Sequence, residues 1–384
     1  MGLARLPRRR LAGFYFFYFA YLGAFAPFFS IYLKEVGLSP VEIGIVMALP
    51  AVARMTAPHL WGWLADASGG LMRVVRVTTL AGALCWLGMF AGTAFAWICA
   101  VAFALSFFLS AAIPLVDSTT LLRLGERTGD YGRIRLWGSI GYMGAVVVVG
   151  YLLDLFPVTA LLWIVLFLIA GTLALALSIP ETEAPAHTEA TTLTHVLRRP
   201  AVVALIAGSA LMVAAHGPYY SFYSIHLVDH GYTKAMTGWL WALGVLCEIG
   251  IFFWLPRLYG AYTLRQILIA SFALAVVRFF VIGWGADSLA LLLFAQTLHA
   301  ATFGSFHAAA IGIVHQLFRG RHQARGQAIY GSLAYGVGGT LGSLASGYGW
   351  ERLGAGPTFS LAATAAGLGM VIVLWKLRLD AHAP

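Results

Sequence analysis

Charge is scarce in this chain. Asp, Glu, Lys and Arg together make up 10% of its 384 residues, against about 25% in soluble domains, and this excludes an ordinary soluble globule. Acidic residues are the scarcer sign, 15 against 24 Lys and Arg. The three cysteines, Cys85, Cys99 and Cys247, fall inside apolar runs at no metal-ligand spacing. They exclude a disulfide framework and read as small buried residues. Enzyme signatures are missing as well: the sequence has no G-x-x-x-x-G-K-[ST], no H-E-x-x-H and no G-x-S-x-G. No enzymatic activity, cofactor or metal is expected. What is present is apolar surface, with 60% hydrophobic residues and a mean hydropathy of +0.84.

A helix crossing about 30 Å of hydrocarbon needs ~20 largely apolar residues. Twelve segments qualify: 11–33, 41–64, 74–93, 95–122, 134–153, 158–179, 201–228, 236–256, 265–284, 288–317, 324–349 and 355–376. The run from Leu11 to Leu33 is too long for the apolar core of a signal peptide and lacks a small-residue cleavage site, so it reads as the first span. The one long polar stretch, PETEAPAHTEATTLTHVLRRP (180–200), divides the chain into an N-terminal bundle (1–179) and a C-terminal bundle (201–384) of six spans each. The expected fold is an all-α membrane protein of twelve transmembrane helices in two pseudo-symmetric six-helix bundles.

The basic residues punctuate the gaps between apolar runs. Arg5, Arg8, Arg9, Arg10, Arg73, Arg76, Arg123, Arg127, Arg133, Arg135, Arg198, Arg199, Arg257, Arg265, Arg319, Arg321, Arg325, Lys376 and Arg378 fall on one side of the spans, and only Lys34, Lys234 and Arg352 on the other. The positive-inside rule makes the first side cytoplasmic, with both termini there. It also accounts for the net charge of +9 without a nucleic-acid partner.

The two halves repeat one another. FFSIYLKEVGLSPVEIG (28–44) lies opposite FYSIHLVDHGYTKAMTG (222–238), pairing Ser30 with Ser224, Leu33 with Leu227, Glu35 with Asp229 and Gly37 with Gly231. RLWGSIGY (135–142) is echoed by AIYGSLAY (328–335). Parallel repeats of a multi-span unit are the pattern of transporters that work by alternating access, one half rocking against the other.

Two arginines remain, Arg54 and Arg278, both deep within spans. A charge at the centre of a membrane helix costs about 2.5–3.5 kcal/mol on insertion scales and normally faces a cavity or a partner. Glu248 and Asp117 are the matching intramembrane acids, and the repeat offset carries Arg54 onto Glu248. The same groups would also serve as struts between helices. His299, His307 and His315 recur every eight residues; eight residues advance an α-helix by about 800°, so their faces coincide only loosely. His299 and His307 lie deep enough to reach a central cavity, whereas His315 reads as structural. His216 precedes Gly217 and Pro218, which should weaken the seventh span, and Tyr219 and Tyr220 follow as candidate stacking surfaces.

The loop after the second span reads WGWLADASGGLMRVVR, in which Gly62, Asp66, Gly69 and Arg73 form G-x-x-x-D-x-x-G-x-x-x-R. Such a turn brings a carboxylate to a neighbouring helix end, a gate rather than substrate chemistry. Without a nucleotide site, energy must come from an ion gradient. A carboxyl group out of water favours its neutral form and a nearby cation favours its charged form, so an intramembrane Glu beside histidines suits protons.

Twelve spans, the six-plus-six repeat and the G-x-x-x-D-x-x-G loop resemble the major facilitator superfamily across the whole chain. Within it, PFFSIYLKEVGLSPVEIG, PLVDS, DYGRIRLWGSIGY, AHGPYYSFYSIH, GWLWALGVLCEIGIFF and TLHAATFGSFHAAA look like the bacterial 3-phenylpropionate transporter family, relatives of nucleoside and oligosaccharide proton symporters. The loop departs from the superfamily pattern at Ala67 and Gly70, where a basic residue is usual. The resemblance implies proton-linked uptake of a small organic anion such as an aromatic acid, by a monomer in a bacterial inner membrane. It places Asp117, Arg133, Arg135, His216, Glu248 and His299 on family strings. The expected proton-coupling residues are Glu248, His299 and Asp117. The expected substrate contacts are Arg54, Arg278, His216, Tyr219, Tyr220 and His307. The expected gate comprises Gly62, Asp66, Gly69 and Arg73, with Arg133 and Arg135. A sugar or nucleoside symporter, an efflux carrier of the same fold and a ligand-sensing membrane protein are the alternatives.

Overall fold

A computed structural model of the chain describes residues 7–183, 194–319 and 322–378. The middle of the predicted linker, and Arg5 and Arg321 of the charge count, lie outside the described residues. Apolar runs of this length in lipid must satisfy every backbone group internally, and they do so as helices. Six precede the linker: α1 (Arg8–Glu35), α2 (Pro40–Ser68), α3 (Leu71–Phe90), α4 (Phe95–Leu124), α5 (Thr128–Leu155) and α6 (Ala160–Ser178). After it come α7 (Pro200–Asp229), α8 (Lys234–Ala261), α9 (Leu264–Trp284) and α10 (Leu289–Leu317). Next are α11, running through Gln323–Tyr330, Gly331–Val337 and Gly338–Leu353, and α12 (Ala355–Lys376). Eleven of these are long and apolar enough to cross a membrane. The exception is the glycine-rich α11, whose composition serves packing more than hydropathy.

The repeat is visible in atomic detail at its turn. After α1, Leu38 N–H donates to the Leu33 carbonyl (3.1 Å) and Gly37 takes a left-handed φ of 91°. After α7, Tyr232 N–H donates to Leu227 (3.1 Å) and Gly231 takes a φ of 83°. These are the same Schellman closure, which needs the glycine for its φ. Each turn then caps the next helix. Ser39 and Glu42 exchange hydrogen bonds across the first turn of α2, and Thr233 Oγ1 accepts from Met236 N–H in α8. Acid groups complete both ends: Glu351 accepts from Val41 N–H, and Asp154 accepts from Lys234 and Ala235 N–H. A carboxylate at a helix N-terminus is favoured by the helix dipole.

The chain forms two compact units. The first takes in α1, the second half of α2 from Thr56, α3 to α6, and residues 233–238. The second takes in residues 39–55, α7, the rest of α8, and α9 to α12. In the first unit α1 is the central helix, buried along most of its length. It meets α5 where Gly141 lies against the Phe16 backbone and Gly23 against Tyr142. The start of the linker is tied to this unit. Arg76 donates to the Ile179 carbonyl (2.7 Å) and pairs with Glu181 (3.3 Å), while Arg123 donates to the Glu181 carbonyl (2.7 Å) and to Thr182 Oγ1 (2.9 Å).

In the second unit α11 crosses α7 backbone against backbone. A Cβ on Gly217 would stand 2.3 Å from the Gly342 carbonyl carbon, and one on Gly342 would stand 2.5 Å from the Ala214 oxygen. Between helices in lipid there is no hydrophobic driving force, so close packing through small residues takes its place. That explains why α11 carries glycine instead of larger apolar side chains. Gly342→Ala is therefore expected to destabilise the fold by about 1–3 kcal/mol, the usual cost of overpacking. Gly144→Ala, with nothing within 4 Å of the added methyl, should leave stability unchanged or raise it by up to about 1 kcal/mol through helix propensity. Unfolding temperatures in detergent check both; equal behaviour of the two variants would contradict the packing account.

Candidate binding site

The second unit holds most of the intramembrane polar groups. Arg278 of α9 is 0% exposed. Its Nε donates to the Ala295 carbonyl (3.1 Å) and its Nη1 to Thr302 Oγ1 (3.1 Å), with His216 Nε2 at 3.4 Å. The guanidinium lies 4.3 Å from the centre of the Tyr219 ring, a cation–π contact. Among the described residues no carboxylate pairs with it, and its Nη2 makes no hydrogen bond. A buried cation held only by neutral groups is costly unless an anion arrives.

The break in α7 presents these partners. The helix ends at Ala215 and restarts at Gly217, with His216 at the junction and Pro218 in the new first turn, where a proline costs no hydrogen bond. Tyr219, one turn on, touches three members of the cluster. It donates to Gln296 Oε1 (3.2 Å), stacks on His299 with centroids 5.6 Å apart, and lies under Arg278. Gln296 Nε2 and His299 Nδ1 are buried without hydrogen-bond partners, as Arg278 Nη2 is. Three unsatisfied polar atoms thus surround one tyrosine, where buried polar groups normally find partners.

Glu248 of α8 stands at the edge of this cluster, its Oε2 3.8 Å from His299 Nε2. Glycines permit the approach: a Cβ on Gly304 would come within 3.0 Å of Glu248 Cγ, and one on Gly244 within 3.3 Å of the His299 ring. The histidine spacing resolves through a π-helical turn at Ala300–Ser305. A π turn takes in an extra residue, and such turns occur often at functional sites. It brings His299, Phe303 and His307 onto one face, with interplanar angles of 10° and 12° between successive rings. The loose alignment expected of a regular α-helix is replaced by a ring ladder, from which the exposed His315 is absent. His307 Nδ1 lies 2.7 Å from the Tyr335 hydroxyl, which sits on a second π turn at Gly331–Val337. Arg54 belongs to the residues 39–55 that pack with this unit.

The remaining expected residues lie in the first unit. Asp117 accepts a hydrogen bond from the Tyr15 hydroxyl (2.6 Å), with Tyr131 beside it and Arg135 as its nearby cation. Arg135 also lies over the rings of Tyr15 and Phe19. Arg133, about 200° away around the same helix, faces α1 beside Arg8, Arg9 and Asp130. Gly62 and Asp66 line a cavity of about 240 Å³ with Pro114 and Ser118, and Gly69 adopts a left-handed φ of 68°. Arg73 is exposed, and the arginine that grips Glu181 is Arg76.

Several members were not foreseen. Gln296 and Thr302 are neutral, although Gln296 stands three residues before His299 and so shares its face. Tyr335 lies in the echo of 135–142, where its position alone carries no chemistry. Tyr15 and Tyr131 are lost among 16 tyrosines.

Comparison with known proteins points the same way as the architecture. Residues 8–361 match the family model described as the MFS_1 like family. A probable 3-phenylpropionic acid transporter of Escherichia coli (strain K12) is 30% identical over 93% of this chain and 95% of its own length. The maltose permease of Geobacillus stearothermophilus is 27% identical over 94% of this chain and 92% of its own. The crystal structure of the nucleoside transporter NupG superposes with a TM-score of 0.84 at 18% identity, covering 99% of this chain and 100% of that one. Tyr15→Phe, which strips a hydrogen bond from Asp117, is expected to cost about 1.5–3 kcal/mol, the range for bonds to charged groups. Tyr220→Phe, whose hydroxyl has no hydrogen bond among the described residues, should cost far less; thermal unfolding in detergent reads both, and equal losses would contradict the assignment.

Proposed function

We propose, because this chain belongs to the MFS_1 like family and so is a multi-pass secondary transporter of a small molecule and not an enzyme, that it takes up a small organic anion together with protons. The observation that carries this reading is Arg278, a buried guanidinium with no carboxylate partner among the described residues and an unsatisfied Nη2. A substrate carboxylate would supply the missing charge through a charge-assisted hydrogen bond. The rings of Tyr219, Tyr220 and Phe303 around it favour an aromatic acid, as does the relative described as a probable 3-phenylpropionic acid transporter.

Glu248 and His299, 3.8 Å apart, are the proposed proton carriers. Both touch the cluster that would bind the anion, so an arriving negative charge alters how readily each holds a proton. Asp117, bound to Tyr15 and near Arg135 in the other unit, is the third proposed proton-coupling group, and Gly62, Asp66, Gly69, Arg73 and Arg135 are assigned to the gate. Arg54 and His307, with Tyr335, would contact the distal part of the substrate. The arginine distribution supports cytoplasmic termini in a bacterial inner membrane, and the protein is taken to act as a monomer by alternating access.

A sugar or nucleoside is the second reading. The His307–Tyr335 pair offers the hydrogen bonds that a neutral polar ring would use, and the relatives include a maltose permease and a putative nucleoside transporter. Uptake in proteoliposomes separates the cases. An imposed inward proton gradient should drive accumulation of phenylpropionate that rises as external pH falls and collapses with an uncoupler. Glu248→Gln is expected to keep counterflow exchange while losing gradient-driven accumulation by about tenfold or more, a change of ~1.4 kcal/mol or greater. Undiminished accumulation by that variant would remove Glu248 from coupling, and preferential transport of maltose or a nucleoside would favour the second reading.

A further inference from the structure

The end of the first unit that carries the linker has a groove the transport reading does not use. A cavity of about 500 Å³ opens between α1 and α5. Its walls are two helix faces with matched spacing, Arg9, Ala12, Gly13 and Phe16 on α1 against Asp130, Arg133, Ile134 and Trp137 on α5. Both sets step by three, one and three residues, the pattern of a single helical face. The helices touch where Gly141 meets the Phe16 backbone, and the cavity opens between them near Arg8 and Asp130.

Charge and apolar surface are segregated in this groove. Arg8 forms an ion pair with Asp130 across its mouth, whereas Arg9 and Arg133 have no acidic partner among the described residues. The floor is Ala12, Gly13, Phe16, Ile134 and Trp137, all without charge. Trp137 is 47% exposed, and Leu136 and Ile140 beside it are exposed as well, an apolar outer face on α5. From Arg9 to Phe16 the helix descends about 10 Å, enough for the upper part of an acyl chain beneath a headgroup. A soluble anion would satisfy the rim and leave the floor uncovered, whereas an anionic amphiphile fits both.

We infer that this groove is a binding site for an anionic diacyl phospholipid, with the phosphate on Arg9 and Arg133 and the first part of an acyl chain against Phe16, Ile134 and Trp137. The site rests on the cytoplasmic placement of this end, since that leaflet supplies the anionic headgroups that basic pockets between helices attract. It does not depend on which substrate is carried or on the role of Glu248. Bound there, the lipid would bridge α1 and α5 across the cavity.

Native mass spectrometry of the delipidated full chain, titrated with phosphatidylglycerol or with phosphatidylcholine of the same chains, tests this. Wild type should retain one phosphatidylglycerol under activation that strips phosphatidylcholine. Arg9→Gln combined with Arg133→Gln should weaken retention by about tenfold or more, as expected for two cations at a lipid surface. Ala12→Leu, which fills the floor and keeps every charge, should weaken it comparably. Arg257→Gln combined with Arg319→Gln, exposed basic positions elsewhere, should leave it unchanged, with unfolding temperatures confirming that each variant is folded. Equal retention of phosphatidylcholine, an equal loss in the Arg257/Arg319 variant, or displacement of the lipid by soluble glycerol phosphate would overturn the proposal.

Discussion

The second unit is organised around a guanidinium that has left water without an opposite charge. Arg278 is fully buried, and neutral groups take its place in the chain of contacts: the Ala295 carbonyl, the Thr302 hydroxyl, the His216 ring and the face of Tyr219. Each of these needs its own support. His216 stands at the junction of the broken α7, Thr302 lies on a π turn, and Tyr219 leans on Gln296 and His299. The irregular backbone of α7 and α10 is thus concentrated where the charge must be held. Irregularity at this depth persists only when the surrounding protein satisfies the freed groups.

The second constraint is packing without water. Helices in lipid gain little from burying apolar side chains against one another, so contact depends on how closely backbones approach. Glycines provide that approach at Gly141 on Phe16, Gly23 on Tyr142 and Gly217 on Gly342. The same device brings Glu248 to His299, with Gly304 and Gly244 leaving room on both sides. Fold and site therefore draw on one resource, and a methyl group added at these places moves both.

Much of this was legible in the sequence, and the legible part follows from simple periodicities. Span positions follow from run lengths. The repeat predicted that Gly37 and Gly231 do the same thing, and both close a Schellman turn with positive φ. Arg278, His216, Glu248 and His299 stood out because charge and polarity inside a span are rare, and they do converge. The ladder of His299, Phe303 and His307 was not legible, because a π turn changes the helical phase and no residue pattern announces it. Neutral partners such as Gln296 and Thr302 carry no charge to mark them. Arg133 and Arg135 look alike in sequence, yet opposite helix faces send one to the α1 groove and the other to Asp117. Residues 39–55, Arg54 among them, pack with the second unit, an outcome set by tertiary contact alone.

The central claim is that Arg278 awaits an anion. The most direct measurement is equilibrium binding of 3-phenylpropionate and of its neutral amide to the purified wild type and to Arg278→Gln, by isothermal titration calorimetry. The account predicts that wild type prefers the acid by about tenfold or more, equivalent to ~1.4 kcal/mol or greater, and that the variant loses this preference. Equal affinity of wild type for acid and amide, or an undiminished preference in the variant, would contradict it.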